Sequence, residues 1–248
     1  MLTEPIIEVE NLSAAFDGRA VLTDVSFRAY PNQVTIILGG SGSGKSTVMK
    51  HLIGLYPVQA GSVRIFGQPL EKIGEKRRLS LFRKIGVLYQ NGALLNSLTV
   101  AENVALPLEQ HTRLPEAMID KLVRLKLKLA NLEQAYALFP SQLSGGMRKR
   151  AALARAIAMD PPLLFCDEPG AGLDPVLLRD LDGLILTLKE QLGISIILVT
   201  HEVASIFRLA DRIIFLDSGN VLFEGDLEAA RQSTIPAVEQ FFASASRR

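Results

Sequence analysis

A single cysteine, Cys166, stands in a chain of 248 residues. One thiol cannot close an intramolecular disulfide or supply a multi-cysteine zinc site, and its scarcity suits a reducing compartment. Excess charge is missing too: 27 Lys and Arg against 26 Asp and Glu leave a net charge of +1. Such a balance gives no reason to expect a nucleic-acid surface. Long apolar runs are absent. Crossing a bilayer takes about 18–20 apolar residues, and "ISIILVT" (194–200) is among the longest here. The opening "MLTEPIIEVEN" is acidic where a secretory leader is basic, so neither a leader nor a membrane span is expected. Internal repeats and low-complexity segments are also lacking. What is present is 48% hydrophobic residues, enough for a globular chain with a buried core.

The texture of the chain alternates. Residues 6–30 read as short strands with a turn at "FDG". "VTIIL" (34–38) is an apolar, β-branched run suited to a strand buried on both faces. "GSVRIFG" (61–67), "KIGVLYQ" (84–90), "PLLFCDEP" (162–169) and "ISIILVTHE" (194–202) read as further strands. A helix at about 175–192 separates the last two, and "RIIFLDSGNVLFEGD" (212–226) reads as a hairpin turning at Ser218-Gly219-Asn220. Strands alternating with helices predict an α/β fold with a parallel sheet. From about 91 to 158 the pattern turns helical, an insertion into that sheet. Met118, Leu122, Leu125, Leu129 and Leu132 are expected to form one packed helix face.

Two stretches offer glycine-led helix starts. In "GGSGSGKST", Gly39, Gly40, Ser41, Gly42, Ser43, Gly44, Lys45, Ser46 and Thr47 follow a buried strand and open a helix. Such a loop closes backbone N–H groups around phosphate oxygens, with Lys45 reaching the β- and γ-phosphates and Ser46 holding Mg²⁺. In "LSGGMRKRAALARAIA" (143–158), Ser144 stands at an N-cap and Gly145 and Gly146 leave the backbone bare. That is a second cradle for an anion. A phosphate loop also needs a carboxylate on its metal side. Asp167 ends an apolar run and is expected to face Mg²⁺, and Glu168 beside it points the other way, as general base to the attacking water. His201 ends another strand, where it can sense the γ-phosphate. Gln90 ends "KIGVLYQ" on the same side and can reach Mg²⁺ or the water. Cys166 reads as a small buried hydrophobe, and His51 and His111 as packed or solvated.

The order of phosphate loop, Gln90, "LSGGM", "LLFCDEP", "GLDP" and His201 resembles the ATP-binding subunits of ABC transporters over residues 6–226. The resemblance implies an ATPase with ATP and Mg²⁺ as cofactors. It implies a P-loop NTPase (RecA-like) core, 1–90 and 159–226, with an N-terminal antiparallel β subdomain. A helical subdomain, 91–158, and a tail, 227–248, available to a partner, complete one domain over 1–248. It further implies two copies arranged head to tail around two ATP molecules. The second cradle then closes on the partner's nucleotide, Asp174 in "GLDP" crosses the interface, and Phe16 stacks on adenine. Three positions depart from the usual pattern: Gly40 replaces proline, Met147 glutamine, and Gly170 threonine or serine. Gly40 and Gly170 are expected to loosen the backbone slightly.

Met147, "YQNGALLNSLTVAENVALPLEQHTRLP" and the tail "IPAVEQFFASASRR" narrow the resemblance. They look like the ATPases of MCE-associated phospholipid transporters, the bacterial Mla system among them. That implies a dimer on the cytoplasmic face of the inner membrane, under an integral-membrane permease. A lipid-handling MCE protein and a small STAS-domain protein are the further partners implied. Another small hydrophobic substrate is the alternative. A non-transport ABC-type ATPase would carry a long coiled coil or two cassettes, and a P-loop kinase would not need "LSGG". The cluster Lys76, Arg77, Arg78, Arg83 and Lys84 is broken by Leu79, Leu81 and Phe82, so no nucleic-acid partner is expected. At least one of Leu94, Leu95 and Leu98 is expected to line a groove for a permease helix.

Overall fold

The computed structural model describes residues 4–245; residues 1–3 and 246–248, the end of the expected tail among them, lie outside the described residues. In chain order the first half runs β1 (Ile7–Phe16), β2 (Arg19–Ala29), β3 (Val34–Gly39), α1 (Lys45–Leu52), β4 (Ala60–Ile65), β5 (Gln68–Pro69), α2 (Glu75–Phe82) and β6 (Ile85–Leu88). Then come α3 (Val100–His111), α4 (Glu116–Leu129), α5 (Gly145–Ala156), β7 (Leu163–Asp167), α6 (Pro175–Leu192) and β8 (Ser195–Val199). The chain closes with α7 (Val203–Leu209), β9 (Arg212–Asp217), β10 (Asn220–Gly225), α8 (Leu227–Arg231) and α9 (Pro236–Ala245). No helix among the described residues is long and apolar enough to cross a membrane.

Two sheets result. β2-β1-β4-β5 is antiparallel. The larger sheet has the order β10-β9-β3-β8-β7-β6, parallel except for the β9–β10 hairpin. Ser218 and Gly219 turn that hairpin with φ of 47° and 79°, the pair of positive angles that a two-residue turn matched to strand twist requires. All six residues of β3 are buried, as its unbroken apolar run requires of a central parallel strand. Alternate residues serve different cores. Ile36 packs among α3, α4, α5 and α6, while Ile37 packs with α1 and the antiparallel sheet. α8 and α9 bury Ala230, Val238 and Phe242 in the larger core. Cys166 is fully buried, and burial pushes its thiol up to about 12, so it stays protonated and acts as a small apolar filler.

The helical block differs from its expected form in two ways. Residues 91–99 are a turn-rich loop, and helix begins only at Val100, where Thr99 and Glu102 form a reciprocal cap. The fully buried Asn103 ties this loop down. Its amide donates to the carbonyls of Leu95, Leu98 and Thr99, and its Oδ1 accepts from Leu95 N–H. Those bonds give the loop's backbone groups the partners a helix would have supplied. Asn103→Ala strands them, and the expected outcome is a loss of about 2 kcal/mol in urea unfolding. An unchanged midpoint would contradict this account of the loop.

The buried face of α4 is also not the expected one. Met118 and Leu125 are 46% and 49% exposed, and the burial falls on Ile119, Val123, Lys126 and Leu127. Leu122 and Leu129 flank that face, and Leu132 is buried beyond the helix end. The face is rotated by one residue because Lys126 lies within it. Its methylene stem covers apolar surface while its ammonium pairs with Asp160. A count of leucines cannot register a lysine that packs as a hydrophobe.

Candidate active site

Register places the candidate residues in one row. Ile37 of β3 lies opposite Val199 of β8, and Val199 lies opposite Asp167 of β7. On the far side of β7, Leu88 of β6 lies opposite Cys166. The glycine loop, His201, Glu168 and Gln90 therefore all leave the sheet at the carboxyl ends of adjacent parallel strands. This is where ligands sit in open α/β sheets.

The loop from Gly39 to Ser46 joins β3 to α1. Gly39 has φ of 148°, and a Cβ there would lie 1.9 Å from the Leu216 carbonyl oxygen. Gly44 has φ of 101° at the N-cap of α1, and its Cβ would meet Leu22 at 2.6 Å. Both positions admit only glycine. Gly40 has neither a positive φ nor a close neighbour, so the usual proline would not be excluded by space. Lys45 Nζ donates to the Gly39 and Gly40 carbonyls at 2.9 and 2.7 Å and lies 3.4 Å from Ser43 Oγ. Burial lowers the Lys45 pKa, and the Glu168 carboxylate pulls it back up. Ser43 is buried; Ser41, Gly42 and Ser46 are exposed, and Thr47 is half-buried in the first turn of α1.

Asp167 is the last residue of β7. Burial first, and then the adjacent Glu168, push its carboxyl above its ordinary value, opposed by Lys50 and Lys149. Glu168 leaves the strand with φ of 45°, a left-handed backbone uncommon outside glycine. Its N–H donates to Val199 O at 2.8 Å. That backbone turns the carboxylate inward. Oε1 lies 2.8 Å from His201 Nδ1, and Oε2 is buried with no hydrogen-bond partner among the described residues. An ionised carboxylate only accepts, so the imidazole tautomer that can bond to it here is the one with Nδ1–H. Gln90 has an exposed side chain, and its backbone oxygen accepts from Lys149 Nζ.

The remaining expected residues lie away from this row. Ser144 caps α5, with its Oγ accepting from Met147 N–H at 3.3 Å. A Cβ on Gly145 would meet nothing within 4 Å, whereas Gly146 packs on Leu177 of the same chain. Asp174 caps α6 through bonds from Val176 and Leu177 N–H at 2.9 and 3.0 Å. Phe16 is half-buried at the end of β1 and packs on Tyr56, ring centroids 5.1 Å apart. Gly170 is closely packed. It is buried, and a Cβ there would strike Leu178 Cδ1 at 2.2 Å, so Leu178 fills the space of the missing side chain. Lys149 was not singled out by sequence. Its position among the charges of α5 carries no signal that it alone turns into the core.

A cleft of about 570 Å³ opens beside the Gln90 turn, lined by Leu79, Phe82, Tyr89, Pro107, His111 and Arg155 among others. Leu94, Leu95 and Leu98 do not line it. Leu94 and Leu98 are half-buried, Leu94 against the larger core. Leu95 is 45% exposed on the loop that Asn103 holds.

Comparison with known proteins gives four findings. The family model described as "ABC transporter" matches residues 22–171. The intermembrane phospholipid transport system ATP-binding protein MlaF of Haemophilus influenzae is 36% identical over 97% of this chain and 91% of its own length. The probable ribonucleotide transport ATP-binding protein mkl of Mycobacterium leprae is 38% identical over 95% of this chain and 68% of its own. Among solved structures, the dimeric post-hydrolysis state of the ATP-binding cassette MJ0796 bound to ADP and Pi matches with a TM-score of 0.81 and 30% identity, over 89% of this chain and 98% of that one.

Proposed function

Because the chain belongs to the ABC transporter family as an ATP-binding subunit, we propose that it hydrolyses ATP to power phospholipid movement between membranes. Likeness to MlaF over nearly the full length of both chains supports the lipid reading. The observation that carries the hydrolytic reading is Glu168. A carboxylate held in a strained backbone, with one buried oxygen unpartnered, is poised to accept a proton from water.

In this reading the backbone N–H groups of residues 40–46 and the Lys45 ammonium hold the β- and γ-phosphates. Lys45 exchanges the Gly39 and Gly40 carbonyls for phosphate oxygens. Glu168 takes the proton of the attacking water, and His201, bound through Nδ1, keeps the carboxylate aimed. Among the described residues no cluster of three His, Cys, Asp or Glu side chains could hold a metal. Mg²⁺ needs no such cluster, since it is bound through one or two carboxylates and completes its shell with phosphate oxygens, water and neutral oxygen ligands. Ser46, Asp167 and Gln90 would hold it, and the raised Asp167 pKa marks a carboxylate whose charge a cation would stabilise. A Mg²⁺ held there would supply positive charge against that developing on the phosphate oxygens.

Ser144, Gly145 and Gly146 close on the γ-phosphate of a second copy, with Asp174 near the same boundary. Gly145 supports this, since its bare face is filled by nothing among the described residues. Phe16, backed by Tyr56, stacks on adenine. The dimer sits on the cytoplasmic face of the inner membrane beneath a permease. An MCE protein and a small STAS-domain protein are its further partners, with residues 227–248 available for contact.

The permease helix enters the cleft beside Tyr89. Leu79 lines it and is 58% exposed, so Leu79→Asp is expected to leave folding and ATP binding unchanged while lowering permease capture from membranes at least about tenfold. Full capture would move the coupling surface elsewhere. Purifying the tagged chain from membranes and identifying its proteins and lipids tests the whole reading. Phospholipid with a permease supports it, and a permease carrying another solute overturns the lipid assignment.

A further inference from the structure

Two cations of α5, Lys149 buried and Arg155 half-buried, have no ion pair among the described residues. Arg155 donates through Nη1 to Ala93 O and through Nη2 to Gly92 O, both at 2.7 Å. Lys149, 8% exposed, donates through Nζ to Gln90 O and lies 3.4 Å from Glu168 O. Between them, Gly92 packs on Ala152, where an added Cβ would stand 3.2 Å from the alanine methyl. Residues 90–93 are thus fastened to α5 at three places. A buried lysine bound only by carbonyls is costly, so its position calls for a role.

Three segments meet at this ammonium. The Gln90 turn supplies one carbonyl, the end of β7 supplies the other, and α5 supplies the cation. The Glu168 carbonyl belongs to the same residue whose backbone is left-handed and whose carboxylate faces His201. Ser144 and Gly145 open the same helix one turn earlier. We propose that Lys149 is a positioning residue that holds the Glu168 main chain and the Gln90 turn in register with α5, so that hydrolysis depends on where α5 sits. Arg155, which also lines the cleft beside Tyr89, extends that register to the cleft. Burial lowers the Lys149 pKa, while the Glu168 and Asp167 carboxylates pull it back up. The inference rests on Glu168 being the base.

The test is steady-state kinetics of the full-length protein, with fluorescent-nucleotide binding and thermal unfolding alongside. Lys149→Met removes the ammonium and keeps the stem. It is expected to lower kcat at least about tenfold with KM for ATP within about twofold. Lys149→Arg restores a charged donor and is expected to return kcat to within about threefold of the original protein. A lysine that only packs would give unchanged kcat in the folded fraction and no rescue by Arg. The proposal is overturned if folded Lys149→Met turns over within about twofold of the original. It is equally overturned if Lys149→Arg is no better than Met, or if KM rises in step with the loss of kcat. Lys149→Leu takes the place of Met, under the same limits, where Met does not fold. Glu168→Gln run beside them separates the two readings. An active Glu168→Gln overturns the base assignment, whereas an inactive Glu168→Gln with an active Lys149→Met overturns only this inference.

Discussion

Glu168→Gln is expected to bind MgATP and hydrolyse it about 10²–10⁴-fold more slowly than the original protein. The amide keeps the shape of the carboxylate and its place beside His201, but it cannot take a proton. The left-handed backbone at Glu168 follows from the main-chain bond to Val199 and from the turn itself, so the substitution leaves it intact. Thermal stability should change little. Single-turnover assays with radiolabelled ATP separate the bound nucleotide from phosphate release. Hydrolysis within about tenfold of the original would remove Glu168 from the role of base.

Lys45→Ala carries the second large effect. Burial already disfavours the Lys45 charge, and its ammonium is stabilised by two carbonyls and the Glu168 field. Phosphate oxygens are stronger acceptors than those carbonyls. Removing the ammonium takes one preorganised charge from the β- and γ-phosphates, a change expected to lower turnover by about 10²-fold or more. The fold should survive, because β3 and α1 bury Ile36, Ile37, Val48, Met49 and Leu52 independently of the lysine. Ordinary turnover in a folded Lys45→Ala protein would displace the phosphate loop from the reaction. Nucleotide binding measured beside turnover separates lost affinity from lost chemistry.

Much of the frame was legible because local signals agreed with tertiary ones. "VTIIL" reads as a doubly buried strand and is one, and the Ser218-Gly219 turn carries positive φ at both residues, which Gly219 adopts without steric cost. The candidate site residues could be named because each follows an apolar strand or opens a helix. Parallel register then brings four of those segments to one edge. What stayed hidden depends on contacts between distant segments. Lys126 sits in the buried face of α4 because Asp160 receives its charge, and no spacing of leucines reveals that. Loop 91–99 is non-helical because Asn103 captures its backbone groups. Gly170 is glycine because Leu178 occupies its side-chain volume. Lys149 looks like its exposed neighbour Arg148 until the Gln90 carbonyl is placed against it.

In the proposed dimer one ATP is held by the phosphate loop of one copy and by the Ser144 helix start of another. Light scattering of Glu168→Gln during size-exclusion chromatography, with and without MgATP, measures this directly. Without nucleotide the account predicts the mass of one chain. With MgATP it predicts twice that mass, and it predicts that Ser144→Arg in the same background returns the mass to one chain while nucleotide remains bound. Nucleotide-saturated Glu168→Gln that stays at the mass of one chain, or a doubled mass indifferent to Ser144→Arg, would contradict it.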